Sequence, residues 1–170
     1  MTVRRALGSG LALLLVAVGC GTGATTPPDP PAAGAGFRSG ECNRVSDAEV
    51  VAAAQSAYTR KVDNDVGCFW QEDAAIGSVG LGSGISTWWY RGSTLAAERE
   101  LESAVGRTVE ELTLRGNKAF RAHDDNACSV YVAKGADVIA WSVSTLDPSA
   151  LPDLCSIVDR LAQATQDRVN

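Results

Sequence analysis

The sequence predicts an α+β fold, a mostly antiparallel sheet packed with helices at both ends and one in the middle. Three observations point there. Helix-start signals stand at Ser46, at Ser93 or Thr94, and at Asp147-Pro148 with Pro152. Between them lie short runs of alternating or β-branched residues, separated by turn residues. Four cysteines between residues 42 and 155 supply cross-links for a chain of modest length.

The elements follow in order. Ser46-Asp47-Ala48-Glu49 is a capping box, in which the Ser46 hydroxyl accepts the Glu49 amide and the Glu49 carboxylate reaches back. It starts a short helix through about Gln55. Asp63-Asn64-Asp65 is a turn between Ala57–Val62 and Val66–Glu72, and alternation in the second run puts Cys68 and Trp70 on one face. Gly77 to Gly84 is a glycine-rich hairpin loop. In Ile85–Arg91, Ile85, Thr87 and Trp89 alternate with Ser86, Trp88 and Tyr90.

A second helix over Leu95–Val105 closes on Gly106. Four strands are expected next, Val109–Leu114, Lys118–Ala122, Cys128–Ala133 and Val138–Val143. Gly116, Asp124-Asp125-Asn126 and Lys134-Gly135-Ala136 are the turns between them. The last helix carries an apolar stripe of Leu151, Leu154, Ile157, Val158 and Leu161, with Cys155 on the same side.

Ahead of this domain the chain carries an export signature. Arg4 and Arg5 precede an apolar run from Leu7 to Val18, and Gly19-Cys20 closes it. A cysteine at the cut site reads as a bacterial lipoprotein signal, with residues 1–19 removed and a diacylglycerol on the Cys20 thiol. A membrane span is excluded, since Ala6 to Val18 offers 13 residues where about 20 are needed. Residues 20–40 then hold the lipidated cysteine and a Pro/Gly-rich tether, leaving 41–170 as a single α+β domain. Thr25 and Thr26 beside the prolines are acceptors for O-linked sugar or simply part of a solvated linker.

Loss of Arg4 and Arg5 leaves 13 basic residues against 20 acidic ones, a net charge of −7. That balance excludes a nucleic-acid footprint and gives no attraction to anionic lipid. The membrane is therefore reached through the lipid on Cys20, on the extracytoplasmic face. Twelve of the 15 basic residues are Arg, and Ala and Gly abound, the bias of a GC-rich genome such as those of actinobacteria.

Cys42, Cys68, Cys128 and Cys155 are an even set in an exported chain, which implies two disulfides with three connectivities. The similar spacings, 26 and 27 residues, favour 42–68 and 128–155, each loop contributing on the order of 3–4 kcal/mol. A zinc site is excluded by the lack of a Cys-x-x-Cys step and by a single His.

Several short pieces resemble a known group. They are Cys68-Phe69-Trp70, Trp88-Trp89-Tyr90-Arg91-Gly92 leading to Glu98-Arg99-Glu100, and Gly116-Asn117-Lys118-Ala119-Phe120. Cys128-Ser129-Val130, Ala140-Trp141-Ser142-Val143 and Cys155 continue the series. In this order, over residues 42–165, they resemble actinobacterial lipoproteins of a domain-of-unknown-function group that includes the mycobacterial LprB and LprC type. The resemblance implies an exported lipoprotein with paired cysteines, and it brings no activity, cofactor or catalytic residue.

The cluster Trp88-Trp89-Tyr90-Arg91 is the most suggestive for function. Alternation sends Trp89 to one face and Trp88 and Tyr90 to the other, so Trp88, Tyr90 and Arg91 form the candidate binding surface unless the second helix covers Trp88. Such aromatics beside Arg suit a sugar, a lipid or a partner protein. The other clusters read as structure. Gly80-Leu81-Gly82-Ser83-Gly84 lacks the helix and Lys-Ser/Thr of a phosphate loop, and His123-Asp124-Asp125 is turn chemistry. Glu98-Arg99-Glu100-Glu102 reads as a solvated helix face. The expectation is a non-catalytic envelope lipoprotein without cofactor or metal, binding an apolar or glycolipid ligand or an envelope protein. The alternative is an enzyme on envelope polymers whose carboxylates the sequence does not locate.

Overall fold

The computed structural model describes residues 41–58, 60–72 and 82–169. Cys20, the signal and the tether lie outside them, as does the glycine-rich loop up to residue 81. The described residues form an α+β fold. Its strands are β1 (Arg60–Asn64), β2 (Gly67–Gln71), β3 (Ser83–Tyr90), β4 (Thr108–Leu114), β5 (Asn117–His123), β6 (Ala127–Lys134) and β7 (Asp137–Thr145). They build one antiparallel sheet in the order β1-β2-β3-β7-β6-β5-β4. The helices are α1 (Asp47–Ala54), α2 (Leu95–Ala104) and α3 (Leu154–Gln166).

Local signals explain the helix ends. The Ser46–Glu49 capping box starts α1, Thr94 accepts the Ala97 amide at 3.2 Å to start α2, and Gly106 follows α2 with φ 85°. Ser93 does not cap, because its hydroxyl bonds Glu98. The last helix begins later than the prolines suggest. Pro148–Ala150 form a separate 3-10 turn, and Asp153 caps α3 by accepting the Ser156 amide at 2.8 Å. Leu151 thus precedes the helix whose stripe it was expected to open. Asp63, expected in a turn, is still within β1, opposite Cys68.

The two faces of the sheet are covered unequally. On one, α1 and α3 enclose the main core. Trp70 and Trp141 stack there at 5.8 Å, among Ile85, Trp89, Val130, Ile139, Val143, Ile157 and Leu161. The Trp141 indole donates to Thr165 Oγ1 at 2.7 Å and the Trp70 indole to Asp47 Oδ1 at 2.9 Å, so each buried N–H is met by a covering helix. On the other face α2 covers a smaller cluster of Phe120, Ala122, Tyr131, Val138 and Ala140.

Both disulfides fasten helical elements to the main-core face. Cys42, in a turn ahead of α1, bonds Cys68 of β2, and Cys128 of β6 bonds Cys155 of α3, the pairing that the spacings favour. The turn is left-handed, with φ of 46°, 53° and 60° at Cys42, Asn43 and Arg44. Left-handed runs disfavour L-residues. Here the disulfide and a buried hydrogen bond from Asn43 to Thr87 hold it.

The two ends of the domain meet at Arg168, which donates to Glu49 Oε2 and to the Arg44 carbonyl, each at 2.9 Å. This guanidinium, with help from Ser46, lowers the Glu49 carboxyl from 4.5 to about 2. A lowered carboxyl stabilises the fold above its unfolded-state value, and that contribution is lost as pH falls from 4.5 through about 2. Glu49→Gln keeps the capping geometry and removes the charge. Urea titrations should show it less stable at neutral pH by about 0.5 kcal/mol, the scale of an exposed pair, with the gap closing across that acid window. A gap that persists at the acid end would assign the effect to packing.

Candidate functional site

Strict alternation along β3 builds the site. Ser83, Ile85, Thr87 and Trp89 enter the main-core face, while Gly84, Ser86, Trp88 and Tyr90 are half-buried on the other. Since α2 packs on β4, β5 and β6 and covers Val138 and Ala140 of β7, the part of this face made by β2, β3 and the Ser142 end of β7 has no helix over it among the described residues. Trp88 lies at the margin of the α2 cluster rather than beneath the helix.

Two glycines set the attitude of the aromatic rings. A Cβ at Gly67 of β2 would meet the Thr87 carbonyl oxygen most closely and stand 2.6 Å from Cε3 of Trp88, and one at Gly84 of β3 would stand 2.9 Å from Cε2 of Phe69. Each ring therefore occupies the space that a side chain on the neighbouring strand would fill. The Trp88 indole N–H donates to Ser86 Oγ at 2.9 Å, which fixes its rotation. Phe69 is half-buried and belongs to neither apolar cluster.

A row of hydroxyls crosses the sheet beside these rings. Ser86 of β3 pairs in register with Ser142 of β7, and Ser142 with Ser129 of β6. The Ser129 hydroxyl donates to that of Ser142 at 2.9 Å, and Arg107 donates to Ser129 at 3.2 Å. Arg107 also meets Glu102 at 2.9 Å and Asp124 at 3.1 Å.

The carboxylates of α2 face inward. Glu98 and Glu102 are each 8 % exposed, contrary to the solvated face expected of that run. Their i, i+4 spacing puts both against the sheet, where Glu102 accepts from the Tyr131 hydroxyl and Arg107, and Glu98 from Ser93. Burial, then the neighbouring Glu102, pushes the Tyr131 phenol far above its ordinary range. Burial, with Glu98 and Glu102, raises Tyr90 as well. Tyr131 thus stays protonated and serves as a donor, stacked between Phe120 at 4.6 Å and Tyr90 at 6.3 Å. Arg99 pairs with Glu111 and not with the acids of its own helix.

The three residues of the expected binding surface separate. Trp88 and Tyr90 share the α2 side of the sheet, with Tyr90 partly covered by its stack on Tyr131. The Arg91 guanidinium lies 3.6 Å over the Trp89 ring and so does not join them. His123 stands 3.6 Å from Glu110, and Asp124 accepts the Asn126 amide at 2.8 Å, as turn chemistry requires. No group of metal-ligating side chains occurs among the described residues. The sequence reading missed Phe69, Gly67, Gly84, Ser86, Ser142, Ser129 and Arg107. Serines at alternate strand positions were visible, but their alignment needs the β3–β7–β6 register.

The profile of a family described as proteins of unknown function, DUF3558, matches residues 15–168. The chain belongs to this family. Relatives named as candidate lipoproteins LprB share 33% identity over 153 residues in Mycobacterium tuberculosis and 32% over 152 in Mycobacterium bovis. Each alignment covers 83% of this chain and 78% of the relative. The Mycobacterium leprae protein of that name is 29% identical over 72% of this chain and 66% of its own. No solved structure matches. The names of these relatives support a lipoprotein, exported and membrane-associated.

The two adjacent tryptophans make opposite predictions. Trp89 is 5 % exposed and donates to Asp137 at 3.0 Å, so Trp89→Ala should cost about 3–5 kcal/mol. Trp88 is half-buried, and Trp88→Ala should cost about 1–2 kcal/mol, more than an exposed position would. Denaturant titration of both variants checks this; equal losses would place Trp88 in the core.

Proposed function

We propose that this family member is a non-catalytic envelope protein, held at the extracytoplasmic face of the cell membrane by a lipid on Cys20. It binds an apolar or glycolipid ligand, or a partner protein, through the aromatic half-face of its sheet. The observation that carries the reading is the pair of rings, Trp88 and Phe69, on a sheet face that α2 leaves uncovered. Aromatic side chains at an open face present apolar area at small entropic cost, which suits recognition. The inward carboxylates do not compete with this reading, because Glu102 and Glu98 are engaged by Tyr131, Arg107 and Ser93.

The anchor is supported by the lipoprotein signal in the sequence and by the lipoprotein names of the relatives. Two acyl chains give durable attachment where one is marginal, and the acidic chain adds no attraction of its own. Cys20→Ala should abolish incorporation of an alkyne-palmitate label and release the protein from washed membranes. A variant that still takes the label would overturn Cys20 as the lipidated residue. Pull-down from solubilised envelopes with wild type and Trp88→Ala tests the binding face, and equal recovery of every captured species would overturn it.

A further inference from the structure

We propose that the helix-free half-face is a saccharide platform whose ligand is a neutral oligosaccharide. Phe69 and Trp88 supply the stacking surfaces, and Ser86 and Ser142 the hydroxyl contacts. This rests on the reading of the aromatic half-face as a binding surface and narrows its ligand to one chemical class.

Ring attitude is the first argument. The rings cross over Gly67 and Gly84, where an added Cβ would lie 2.6 Å and 2.9 Å from ring atoms. A ring held this close to backbone on one side has only its other side to offer a ligand. The C–H face of a pyranose packs on such a side, and the glycines make that attitude possible. The bond from the Trp88 indole to Ser86 locks it in place before any ligand arrives.

The hydroxyl row is the second. Phe69, Ser86, Ser142 and Ser129 lie directly opposite one another on four adjacent strands. Ser129 is buried. The part of the row open to a ligand therefore runs from Phe69 through Ser86 to Ser142, about 10 Å at strand spacings of about 4.8 Å, room for two hexose rings. Serine hydroxyls both donate and accept, as sugar hydroxyls do. An acyl chain on the same row would strip water from these groups without replacing their hydrogen bonds, which disfavours it.

Charge is the third. Arg107, at the end of the row, is already matched by Glu102 and Asp124. The positive charge at that end is thus neutralised within the fold, and the chain as a whole is acidic at −5. A neutral glycan fits this surface better than a phosphate or carboxylate ligand.

The test uses the full lipidated chain in a detergent without a sugar headgroup. Maltohexaose, cellohexaose and an α-1,6-linked mannohexaose are the neutral probes, with a hexagalacturonate as the anionic one. Binding is read by saturation-transfer NMR and tryptophan fluorescence at millimolar ligand. At least one neutral probe should bind, with transfer to its C–H protons. Trp88→Ala and Phe69→Ala should each weaken it tenfold or more. Ser142→Ala, which keeps both rings, should weaken it severalfold while the unfolding midpoint of the protein stays near that of the wild type. Failure of every neutral probe would overturn the saccharide assignment, as would binding unchanged in Trp88→Ala or preference for the anionic probe. If the probes fail while Trp88→Ala still loses an envelope protein or lipid in pull-down, the binding face stands and only the ligand class falls.

Discussion

The pairing of β3 with β7 is the constraint on which the rest of the molecule depends. It joins Ser83–Tyr90 to Asp137–Thr145 over eight register pairs, so the last strand of the chain lies beside the third. Without it there would be a three-stranded meander and a four-stranded one, each with an unpaired edge. Joined, they make a single sheet whose central strands carry Trp141, Ile139, Ile85 and Trp89 into the main core. The Trp70–Trp141 stack spans the seam between the two meanders. Non-local pairing of this kind costs loop-closure entropy before it yields contacts. The disulfides tie Cys42 to Cys68 and Cys128 to Cys155 within the two halves, and neither bridges the seam.

The same seam decides what is left open. α2 follows β3 directly, yet it crosses to lie over β4, β5 and β6, because its inward side chains include Glu98 and Glu102. These need the polar partners that Tyr131, Arg107 and Ser93 provide. Phe120, Ala122 and Tyr131 supply the apolar part of the contact. A ten-residue helix is about 15 Å long and cannot also span β7, β3 and β2. The uncovered half keeps serines, glycines and two flat aromatic rings, a composition that neither core packing nor full solvation requires.

The starts of α1 and α2, most of the turns and the strand count were legible in the sequence because they are set by neighbours within four or five residues. By contrast, α3 starts later than its prolines suggest and Asp63 belongs to β1. Ser46 and Glu49 form their capping box in the folded chain as in the local pattern. Alternation placed Cys68 with Trp70 and Trp89 with Ile85, and both pairs are buried together. Where local rules competed, the sequence reading slipped. Both Ser93 and Thr94 look like caps, and only the buried Glu98 shows why Ser93 turns away. Four charged residues in α2 read as a solvent face by composition, although 98 and 102 lie one helical turn apart and point the same way.

By itself the sequence determined the fold class, the cysteine pairing that the matched spacings favour, and the lipoprotein signature at Cys20. Each rests on short-range chemistry or on composition. Tertiary structure alone decided which strands are neighbours, and with them the site. Ser86, Ser142 and Ser129 are far apart in the chain and become one row only through the β3–β7 and β7–β6 registers. Gly67 and Gly84 acquire meaning only when the next strand brings the Thr87 carbonyl and the Trp88 ring against one and the Phe69 ring against the other. Arg91 follows Tyr90 directly, yet it stacks on Trp89 on the opposite face. Strand alternation is a local rule, but the surface it builds depends on what the neighbouring strand places beside each residue.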